Sequence, residues 1–492
     1  MNNILDKPQC NCGIIGVISN KRETASVQTY YGLHSLQHRG QEAAGIASLY
    51  EVNNKLTFSV HKDFGLVSEV FSNDEIFKNK LKGYVSIGHN RYSTFGSADS
   101  AKNIQPFAVV YRMGNLAVAH NGNITNAKNL REKLTYEGAL FQSSSDSEVV
   151  LHLIARSKYD DQLSQVKDAL SQLEGAFSLV IMTDEYLIGA RDPNGFRPLC
   201  IGKTQNSYII TSESCALDIN SAVFIRDVEA GEIVYISKAI FNNDLINSLF
   251  YKRIEHPTKC IFEYIYFSRP DSRIFGTSVD KLRRKLGKKL AEYHPVIDKD
   301  GAKVIVISVP DSSNTATIGY QNQLEKMGIP SKLEIGLIRN HYIGRTFIAP
   351  VQTKREVGVK IKFNVVKGVI EGKTIVLIDD SIVRGTTSKL LVDLIKEAHP
   401  KAIHIRISSA PIISPCYYGM DFPSKEELLM NKFNGSIEEI RKYLGVDSIE
   451  YLTIEEMKSA MVDHAPDSFC TACFDGNYPT NIQDVNIKNF YD

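Results

Sequence analysis

The sequence predicts an α/β protein whose 492 residues divide into two regions of different texture. Up to about residue 250, short β-like runs such as LAVAHNG and FSLVIMTD are separated by Gly, Asn and Ser, which is typical of a layered sheet structure. From about residue 275, apolar strands alternate with amphipathic helices, a βαβ pattern that predicts a parallel sheet. We therefore expect two domains, at 12–250 and 260–480, with the parallel sheet in the second.

In the first region, the apolar run CGIIGVIS at 12–19 predicts the first strand. The segments TASVQTYYGLHSLQHRG and SDSEVVLHLIARSK have helical character, while YLIGARD and EIVYISK are short β-like runs. The second region alternates more regularly. Its expected strands are KVIVISVPDSS, SKLEIGLI, KTIVLIDD and AIHIRISSAP, and its expected helices are TATIGYQNQLEKMG and SKLLVDLIKEAHP.

Charge and hydropathy exclude several classes of protein. The 57 Lys+Arg and 56 Asp+Glu give a net charge of +1, so no overall basic field recruits nucleic acid or an anionic membrane. No window approaches the roughly 18 apolar residues of a membrane span. The N-terminal segment has neither the basic nor the apolar part of a secretory signal. We expect a cytoplasmic protein with no nucleic-acid or membrane partner.

The stretch at 373–398, KTIVLIDDSIVRGTTSKLLVDLIKEA, is the most informative in the second region. An apolar strand ends in Asp379 and Asp380, and a polar turn with a glycine leads into a helix. Strand ends face the ligand crevice in open α/β sheets, and a helix N-terminus holds phosphate. A sugar phosphate would place its hydroxyls on the acids and its phosphate on the turn. The alternative is an ordinary βα loop with solvated acids.

This stretch closely resembles the phosphoribosyl pyrophosphate signature of the type I phosphoribosyltransferases. The resemblance implies that substrate is bound by Asp379, Asp380, Ser381, Arg384, Gly385, Thr386 and Thr387. It also implies Mg²⁺ near Ser313, Asp379 and Asp380, held mostly by substrate pyrophosphate. Salvage enzymes and a few regulators share the signature, so it does not name the acceptor of the ribosyl group.

Four motifs in the first region resemble the glutamine amidotransferase domain of the N-terminal nucleophile (Ntn) hydrolases. They are GLHSLQHRGQEAAGI at 32–46, GHNRYSTFG at 88–96, AHNGNITN at 119–126 and SSSDSEV at 143–149. With the phosphoribosyl signature, they are similar to the glutamine phosphoribosylpyrophosphate amidotransferases, from about residue 12 to about 480. That family has an αββα-layered glutaminase domain, and the resemblance implies the first committed step of purine synthesis.

Cys10 and Cys12 lie one residue apart before the first strand, and alone they fit a metal clip, a redox pair or a nucleophile. The family motif requires the cysteine directly before the strand, which favours Cys12. Cleavage after Asn11 would then remove residues 1–11 as a propeptide. Cys12 would carry both the attacking thiol and an α-amino base with a pKa of roughly 8. Cys10 is interpreted as incidental.

The resemblance also assigns the other glutaminase residues. The side-chain amide of Asn121 and the backbone N–H of Gly122 would stabilise the oxyanion. Arg91 would bind the glutamine carboxylate, and Asp146 its ammonium group. In the second domain, the basic segment 339–362 resembles a flexible lid over the substrate, although it departs from the family pattern at Arg339 and His341.

Four further cysteines remain, Cys260, Cys416, Cys470 and Cys473, of which the last two form a CTAC pair suited to one metal centre. Four thiolates suit zinc or an iron–sulfur cluster, and spacing does not choose between them. The resemblance implies a [4Fe–4S] cluster that cross-links the domains, with a structural or oxygen-sensing role rather than a catalytic one. Cys200 and Cys215 are interpreted as inert core residues.

The family resemblance further implies feedback inhibition by purine nucleotides and a homotetramer. Two other function classes fit the same motifs. One is a salvage phosphoribosyltransferase fused to an idle glutaminase, and the other is a non-catalytic sensor of phosphoribosyl pyrophosphate.

Overall fold

The structure is a computed structural model that describes residues 12–21, 24–53, 55–92, 100–237, 246–340, 362–465 and 467–482. The predicted propeptide at 1–11, Cys10 and the lid residue His341 lie outside these ranges. Among the described residues, no helix combines the length and the apolar character needed to cross a membrane.

The first region forms two antiparallel sheets with the strand orders β11-β9-β10-β1-β4-β2-β3 and β13-β12-β8-β7-β6-β5. The strands are β1 (Gly13–Ser19), β2 (Ala43–Val52), β3 (Lys55–Phe64), β4 (Val85–Arg91), β5 (Phe107–Tyr111), β6 (Gly114–Ile124), β7 (Gly175–Thr183), β8 (Tyr186–Arg191), β9 (Cys200–Lys203), β10 (Ser207–Thr211), β11 (Val223–Asp227), β12 (Glu232–Ser237) and β13 (Asn247–Phe250). The helices are α1 (Thr24–Ser35), α2 (Val67–Val70), α3 (Ala127–Tyr136), α4 (Glu148–Arg156), α5 (Gln162–Ser171) and α6 (Cys215–Asp218).

The two sheets pack face to face, and each is covered by helices on its outer side. Alternate side chains of a strand point to opposite faces. In β1, Ile14 and Ile18 pack into the core between the sheets, whereas Ile15 and Val17 pack against α1. Helices α3, α4 and α5 cover the outer face of the second sheet. The predicted αββα layering is therefore confirmed.

The second region is built around a five-stranded parallel sheet of order β18-β17-β21-β22-β23. Its strands are β14 (Lys259–Cys260), β15 (Arg273–Ile274), β16 (Thr277–Ser278), β17 (Val304–Ser308), β18 (Ser331–Leu333), β19 (Leu337–Arg339), β20 (Phe363–Val365), β21 (Thr374–Asp379), β22 (Ala402–Ile407), β23 (Ser448–Tyr451) and β24 (Phe469–Cys470). Its helices are α7 (Val279–Tyr293), α8 (Asn314–Lys326), α9 (Lys367–Ile370), α10 (Thr386–Lys396), α11 (Leu429–Lys432), α12 (Ile437–Leu444), α13 (Ile454–Ser459) and α14 (Ala472–Asp475).

The predicted parallel sheet is confirmed, and helices lie on both of its faces. In β17, Val304 and Val306 pack into the core with α7 and α8, whereas Ile305 and Ile307 pack with α10 and α12. Such strands are buried on both faces, which explains why they read as continuous apolar runs.

The predicted single strand SKLEIGLI is wrong. Ser331–Leu333 joins the parallel sheet as β18, but Leu337–Arg339 pairs antiparallel with β20 in a separate ribbon. Between them, a Cβ at Gly336 would lie 2.7 Å from the Ile307 side chain. The chain therefore crosses closely over the sheet at this glycine and leaves it.

A short parallel pair, β14 with β24, joins the start of the second region to its far end. Lys259 is paired with Phe469, and Cys260 with Cys470. The sheets of the first region use strands between residues 13 and 250, and the parallel sheet uses strands between 304 and 451. The domain limits 12–250 and 260–480 stay a prediction.

Candidate active sites

The expected nucleophile lies at the edge of the sandwich where β1 begins. Gly13 of β1 pairs with Asn90 of β4, so Cys12 and Arg91 are neighbours in the register. Cys12 is buried, and its Sγ lies 3.5 Å from the carbonyl oxygen of Tyr92. The structure thus brings together the predicted nucleophile and the predicted carboxylate-binding arginine.

The thiol of Cys12 is held in its neutral form. Burial raises its pKa to about 11, more than nearby Arg91 lowers it, and the charge of Asp146 raises it further. Since the thiolate is the reactive form, a base must take the proton when the thiol attacks. An α-amino group on Cys12 itself would be such a base.

Asp146 lies in the loop before α4, close enough to Cys12 to interact with its charge. One carboxylate oxygen accepts a hydrogen bond from the backbone N–H of Ile124 at 3.0 Å, and the other from the Ser147 hydroxyl at 3.1 Å. These donors fix the orientation of the carboxylate.

Two residues that sequence reasoning missed hold this loop. Arg131 donates to the carbonyl oxygens of Ser143 and Ser145 at 3.0 and 2.7 Å. Glu148 accepts from the Ser143 backbone N–H at 2.8 Å. Although burial opposes ionisation, hydrogen bonds from His152, Ser143 and nearby backbone lower the pKa of Glu148 to about 2. The signal for Glu148 was its place as the penultimate residue of the SSSDSEV motif, whereas Arg131 lies outside the motifs.

The side-chain amide of Asn121, on β6, is fully buried. Within the ranges that the structure describes, neither its nitrogen nor its oxygen has a hydrogen-bond partner. Leaving such a group unpaired costs about 1–3 kcal/mol, so it calls for a functional explanation. A developing oxyanion would supply the missing acceptor for the amide N–H.

Gly122 follows with φ of +146°, and a Cβ there would lie 2.1 Å from the Ala176 carbonyl oxygen. We therefore expect Gly122→Ala to lower the free energy of unfolding by about 3 kcal/mol and to impair glutamine hydrolysis. Gly138→Ala is the matched control, because Gly138 also has positive φ (+88°) but faces open space. It should cost about 1 kcal/mol and leave hydrolysis intact. Urea unfolding and glutamate release measure both; equal losses in the two variants would contradict the prediction.

Two buried histidines flank these residues. His120 Nδ1 lies 2.8 Å from the Ser147 hydroxyl, and His89 Nε2 lies 3.1 Å from the His120 carbonyl oxygen. Burial lowers the pKa of His89 to about 3 and also lowers that of His120. Both rings are neutral at physiological pH and serve to orient the surrounding groups.

The second site lies where β21 ends. The Ser313 hydroxyl, just before α8, donates to Asp379 at 3.0 Å. Asp380 accepts from the hydroxyls of Ser312 and, at 2.7 Å, of Ser381. Both carboxylates are buried at the carboxyl edge of the parallel sheet, as predicted. Their hydroxyl partners show that the acids are arranged to accept hydrogen bonds from alcohols.

The turn that follows has the predicted form. Gly385 has φ of +80°, and α10 begins at Thr386, with Thr387 buried in its first turn. Arg384 is turned toward the surface, where its Nε donates to Glu427 at 2.9 Å.

The predicted lid, 339–362, leaves and re-enters the fold at one place. Strands β19 and β20 flank it and pair antiparallel, and the Asn340 N–H donates to the Lys362 carbonyl at 2.8 Å. Arg339 forms an ion pair with Asp311 at 3.0 Å. The two ends of the segment therefore emerge side by side above the site, while the interior of the lid lies outside the described residues.

Known amidotransferases are similar to this chain over most of its length. The glutamine amidotransferase domain family matches residues 89–218. The amidophosphoribosyltransferase of Bacillus subtilis is 45% identical over 477 residues, which cover 96% of this chain and 94% of the relative. The chloroplastic amidophosphoribosyltransferase of Vigna aconitifolia is 46% identical over 482 residues, or 98% and 94% of the two chains.

A solved structure gives the same result. The glutamine phosphoribosylpyrophosphate amidotransferase from B. subtilis, complexed with ADP and GMP, matches with a TM-score of 0.85 at 44% identity. The match covers 96% of this chain and 99% of the other. The chain belongs to the amidophosphoribosyltransferase family.

In this amidophosphoribosyltransferase fold, the four remaining candidate ligands converge. Cys260 and Cys470 are paired in the register of β14 and β24, and Cys473 lies in α14, which follows β24. The sulfur of Cys416 accepts a hydrogen bond from the Tyr418 N–H at 3.3 Å. Each of the four interacts electrostatically with the other three. Residues far apart in sequence are thus gathered at one place, as predicted.

The gathered thiols of Cys260, Cys470 and Cys473 are buried and remain in their neutral form without a metal. Burial raises the pKa of Cys260 to about 11, partly offset by Arg197, and raises those of Cys470 and Cys473. Such thiols become thiolates when a metal replaces the proton. A single zinc needs each sulfur about 2.3 Å away. Across the described part of the chain, no three His, Cys, Asp or Glu side chains stand close enough to hold a metal ion as they lie, so the geometry does not choose between zinc and an iron–sulfur cluster.

Proposed function

We propose that the chain converts glutamine, phosphoribosyl pyrophosphate and water into 5-phosphoribosylamine, glutamate and pyrophosphate. Family membership and the two sites support this reaction, which is a step of purine biosynthesis. The observation that carries the proposal is the amide of Asn121 in the sandwich that holds Cys12, which is buried and has no hydrogen-bond partner among the residues that the structure describes. Neither a salvage enzyme nor a passive sensor needs that group.

The first half-reaction uses the thiol of Cys12. Its sulfur attacks the glutamine amide carbon, its α-amino group takes the thiol proton and delivers it to the leaving ammonia, and water hydrolyses the thioester. Asn121 and the Gly122 N–H stabilise the oxyanion in each step. Arg91 and Asp146 hold the substrate carboxylate and ammonium groups.

The second half-reaction takes place at β21. Ammonia displaces pyrophosphate from C1 of the ribose, whose hydroxyls bind Asp379 and Asp380 while the 5′-phosphate binds the turn at Ser381, Gly385, Thr386 and Thr387. Arg384 would leave Glu427 to reach the substrate. Mg²⁺ would be held by Asp379, Asp380 and Ser313 together with pyrophosphate oxygens, and it would neutralise the leaving group.

The two regions are in contact at the end of β6, the strand that carries Asn121 and Gly122, and this contact supports internal passage of ammonia. The Asn123 side chain donates to the Tyr417 carbonyl at 2.8 Å. A Cβ at Gly419 would lie 2.9 Å from the backbone of Gly122. This contact brings the second region directly against the residues at which ammonia would be released.

We further propose a [4Fe–4S] cluster bound by Cys260, Cys416, Cys470 and Cys473. All four lie in the second region, so the cluster would tie the two ends of that region together rather than cross-link the two domains. We expect Cys473→Ser to lower thermal stability markedly and to abolish iron binding, because the free energy of metal binding becomes free energy of folding. The protein should be purified anaerobically, and iron and zinc measured by elemental analysis. Cys200→Ser is the control, since this buried free cysteine lies outside the cluster. Stoichiometric zinc without iron in the unaltered protein would contradict the proposal.

Regulation, assembly and location complete the proposal. The B. subtilis structure complexed with ADP and GMP supports inhibition by purine nucleotides. We also propose a homotetramer and a cytoplasmic location, although several plant relatives are named chloroplastic. A propeptide at 1–11 would be removed between Asn11 and Cys12, and mass spectrometry of the mature N-terminus tests this directly.

The reaction is tested with amide-¹⁵N glutamine, phosphoribosyl pyrophosphate and Mg²⁺. The expected product is phosphoribosylamine that carries the label, with one glutamate released per turnover. Transfer to a purine base without glutamine would favour the salvage alternative. Tight binding of phosphoribosyl pyrophosphate with no turnover of any kind would favour the sensor.

A further inference from the structure

Four charged side chains form a buried group between the two regions. They are Arg39, Arg197, Glu213 and Glu263, and each is at most 1% exposed. Two positive and two negative charges balance, which is the condition under which buried ions are tolerated. Glu263 and Arg197 connect this group to the second region, and Arg39 connects it to the glutaminase site.

Arg39 contacts the nucleophilic residue directly. Its Nε donates to the carbonyl oxygen of Cys12 at 3.3 Å. Its two terminal nitrogens bind Glu263 in a bidentate pair, at 2.7 and 3.1 Å, and one also binds Glu213. Burial alone would lower the pKa of Arg39, but the carboxylates of Glu263 and Glu213 outweigh it and hold the pKa above its usual range. The guanidinium is therefore a fixed, fully charged support.

Glu263 is itself held from the other side. It lies in the turn Glu263–Phe267, beyond the predicted glutaminase domain. The Ser268 hydroxyl donates to it at 2.8 Å, and Arg197 at 3.2 Å. Arg197 Nε in turn donates to the Tyr418 carbonyl at 3.0 Å. The carboxylate therefore cannot rotate away from Arg39 without breaking several buried contacts.

We propose that Glu263 is a positioning residue for the glutaminase nucleophile, acting through Arg39 on the backbone of Cys12. The inference rests on the proposed function. After cleavage, Cys12 has no preceding residue to fix its orientation, so contacts to its own carbonyl decide where the thiol points. A carboxylate from the second region thus completes the geometry of a site whose reacting groups all belong to the first.

The test uses Glu263→Gln in the full chain and in a chain made to begin at Cys12, which removes maturation as a variable. The variant keeps the side-chain shape but loses the charge that orients Arg39. We expect glutamine-dependent kcat to fall about 10- to 100-fold, because a small misplacement of a reacting group lowers the rate by that much. The KM for glutamine should change little. Alkylation of Cys12 by a glutamine-like reagent should slow in parallel, whereas phosphoribosylamine formation from ammonium salt should be unchanged.

The matched control is Glu232→Gln. Glu232 is also buried and binds Arg226 in a bidentate pair, at 2.7 and 2.8 Å, but it does not contact the Arg39 group. It should leave Cys12 alkylation unchanged. Glu263→Asp restores the charge and should recover part of the lost rate.

The outcomes separate the two proposals. An equal loss of the glutamine and ammonia reactions in Glu263→Gln would mean a general structural role and would overturn the inference. Undiminished alkylation and glutamine turnover would overturn it as well. If the unaltered protein makes no phosphoribosylamine from either nitrogen source, the proposed function fails instead.

Discussion

Replacing Cys12 by alanine should abolish glutamine-dependent formation of phosphoribosylamine, by roughly 10³-fold or more, and leave the ammonia-dependent reaction intact. The thiol is needed only to break the glutamine amide, whereas displacement at C1 of the ribose needs ammonia and the second site. The chain should be made to begin at position 12, so that the variant keeps a free α-amino group. Product is measured with glutamine and, separately, with ammonium salt at high pH.

A glutamine-like alkylating reagent gives an independent readout of the same prediction. It should label the unaltered protein once, at Cys12, and the variant not at all. Cys200→Ala is the control, because Cys200 is a buried free cysteine of β9 that packs in the outer core of the first sheet, with Cys215 and Leu217. Labelling at Cys10 of the full chain would show that the wrong cysteine was chosen. Loss of the ammonia reaction would show that the two sites depend on each other more closely than proposed.

Replacing Asp380 by asparagine should lower phosphoribosyl transfer about 10²- to 10³-fold with either nitrogen source. Glutamate release in the first site should persist. The variant keeps the shape of a buried side chain that accepts from Ser312 and Ser381, but it removes the charge that holds ribose hydroxyls and Mg²⁺. Initial rates with glutamine and with ammonium salt, and glutamate release, measure the three outcomes.

Asp393→Asn is the matched control for this variant. Asp393 lies on α10, the helix that follows the substrate turn, and pairs with Lys389 on the partly exposed face. Its replacement should change neither reaction. If Asp380→Asn transfers ammonia at nearly the unaltered rate, the assignment of this turn to the substrate is wrong.

The parts of the fold that sequence predicted are those in which neighbouring residues decide the outcome. The run ending at Asp379 became β21, and the glycine at 385 and the threonines after it became the start of α10. Strand, turn and helix here depend on residues within about ten positions of one another. The prediction of one strand over 331–338 was wrong because the chain leaves the parallel sheet near Gly336. The close approach there is to Ile307, a residue of another strand.

In the candidate sites too, the features that depend on nearby residues were predicted and those that depend on distant residues were not. The motifs placed Cys12, Asn121 and Asp146 in one sandwich, as the structure finds. They did not reveal the partner of Arg39, although Arg39 stands within the LQHRGQ motif, because Glu263 lies 224 positions away in sequence. A side chain's long-range partner depends on how the whole chain packs, and local pattern holds no information about it.

The pairing of β14 with β24 has a consequence for how the protein is made. Cys260 meets Cys470 only when both have left the ribosome, and at roughly 5–20 residues per second that interval is on the order of ten seconds or more. During synthesis the first region can fold, but the loop around Tyr417 that packs beside Gly122 is not yet held in place. Any chemistry that requires Cys260, Cys416, Cys470 and Cys473 together therefore begins only after the last of them has left the ribosome. A newly made chain therefore passes through a stage in which the thiols of Cys260 and Cys416 are reduced, lack their later partners and are vulnerable to oxidants.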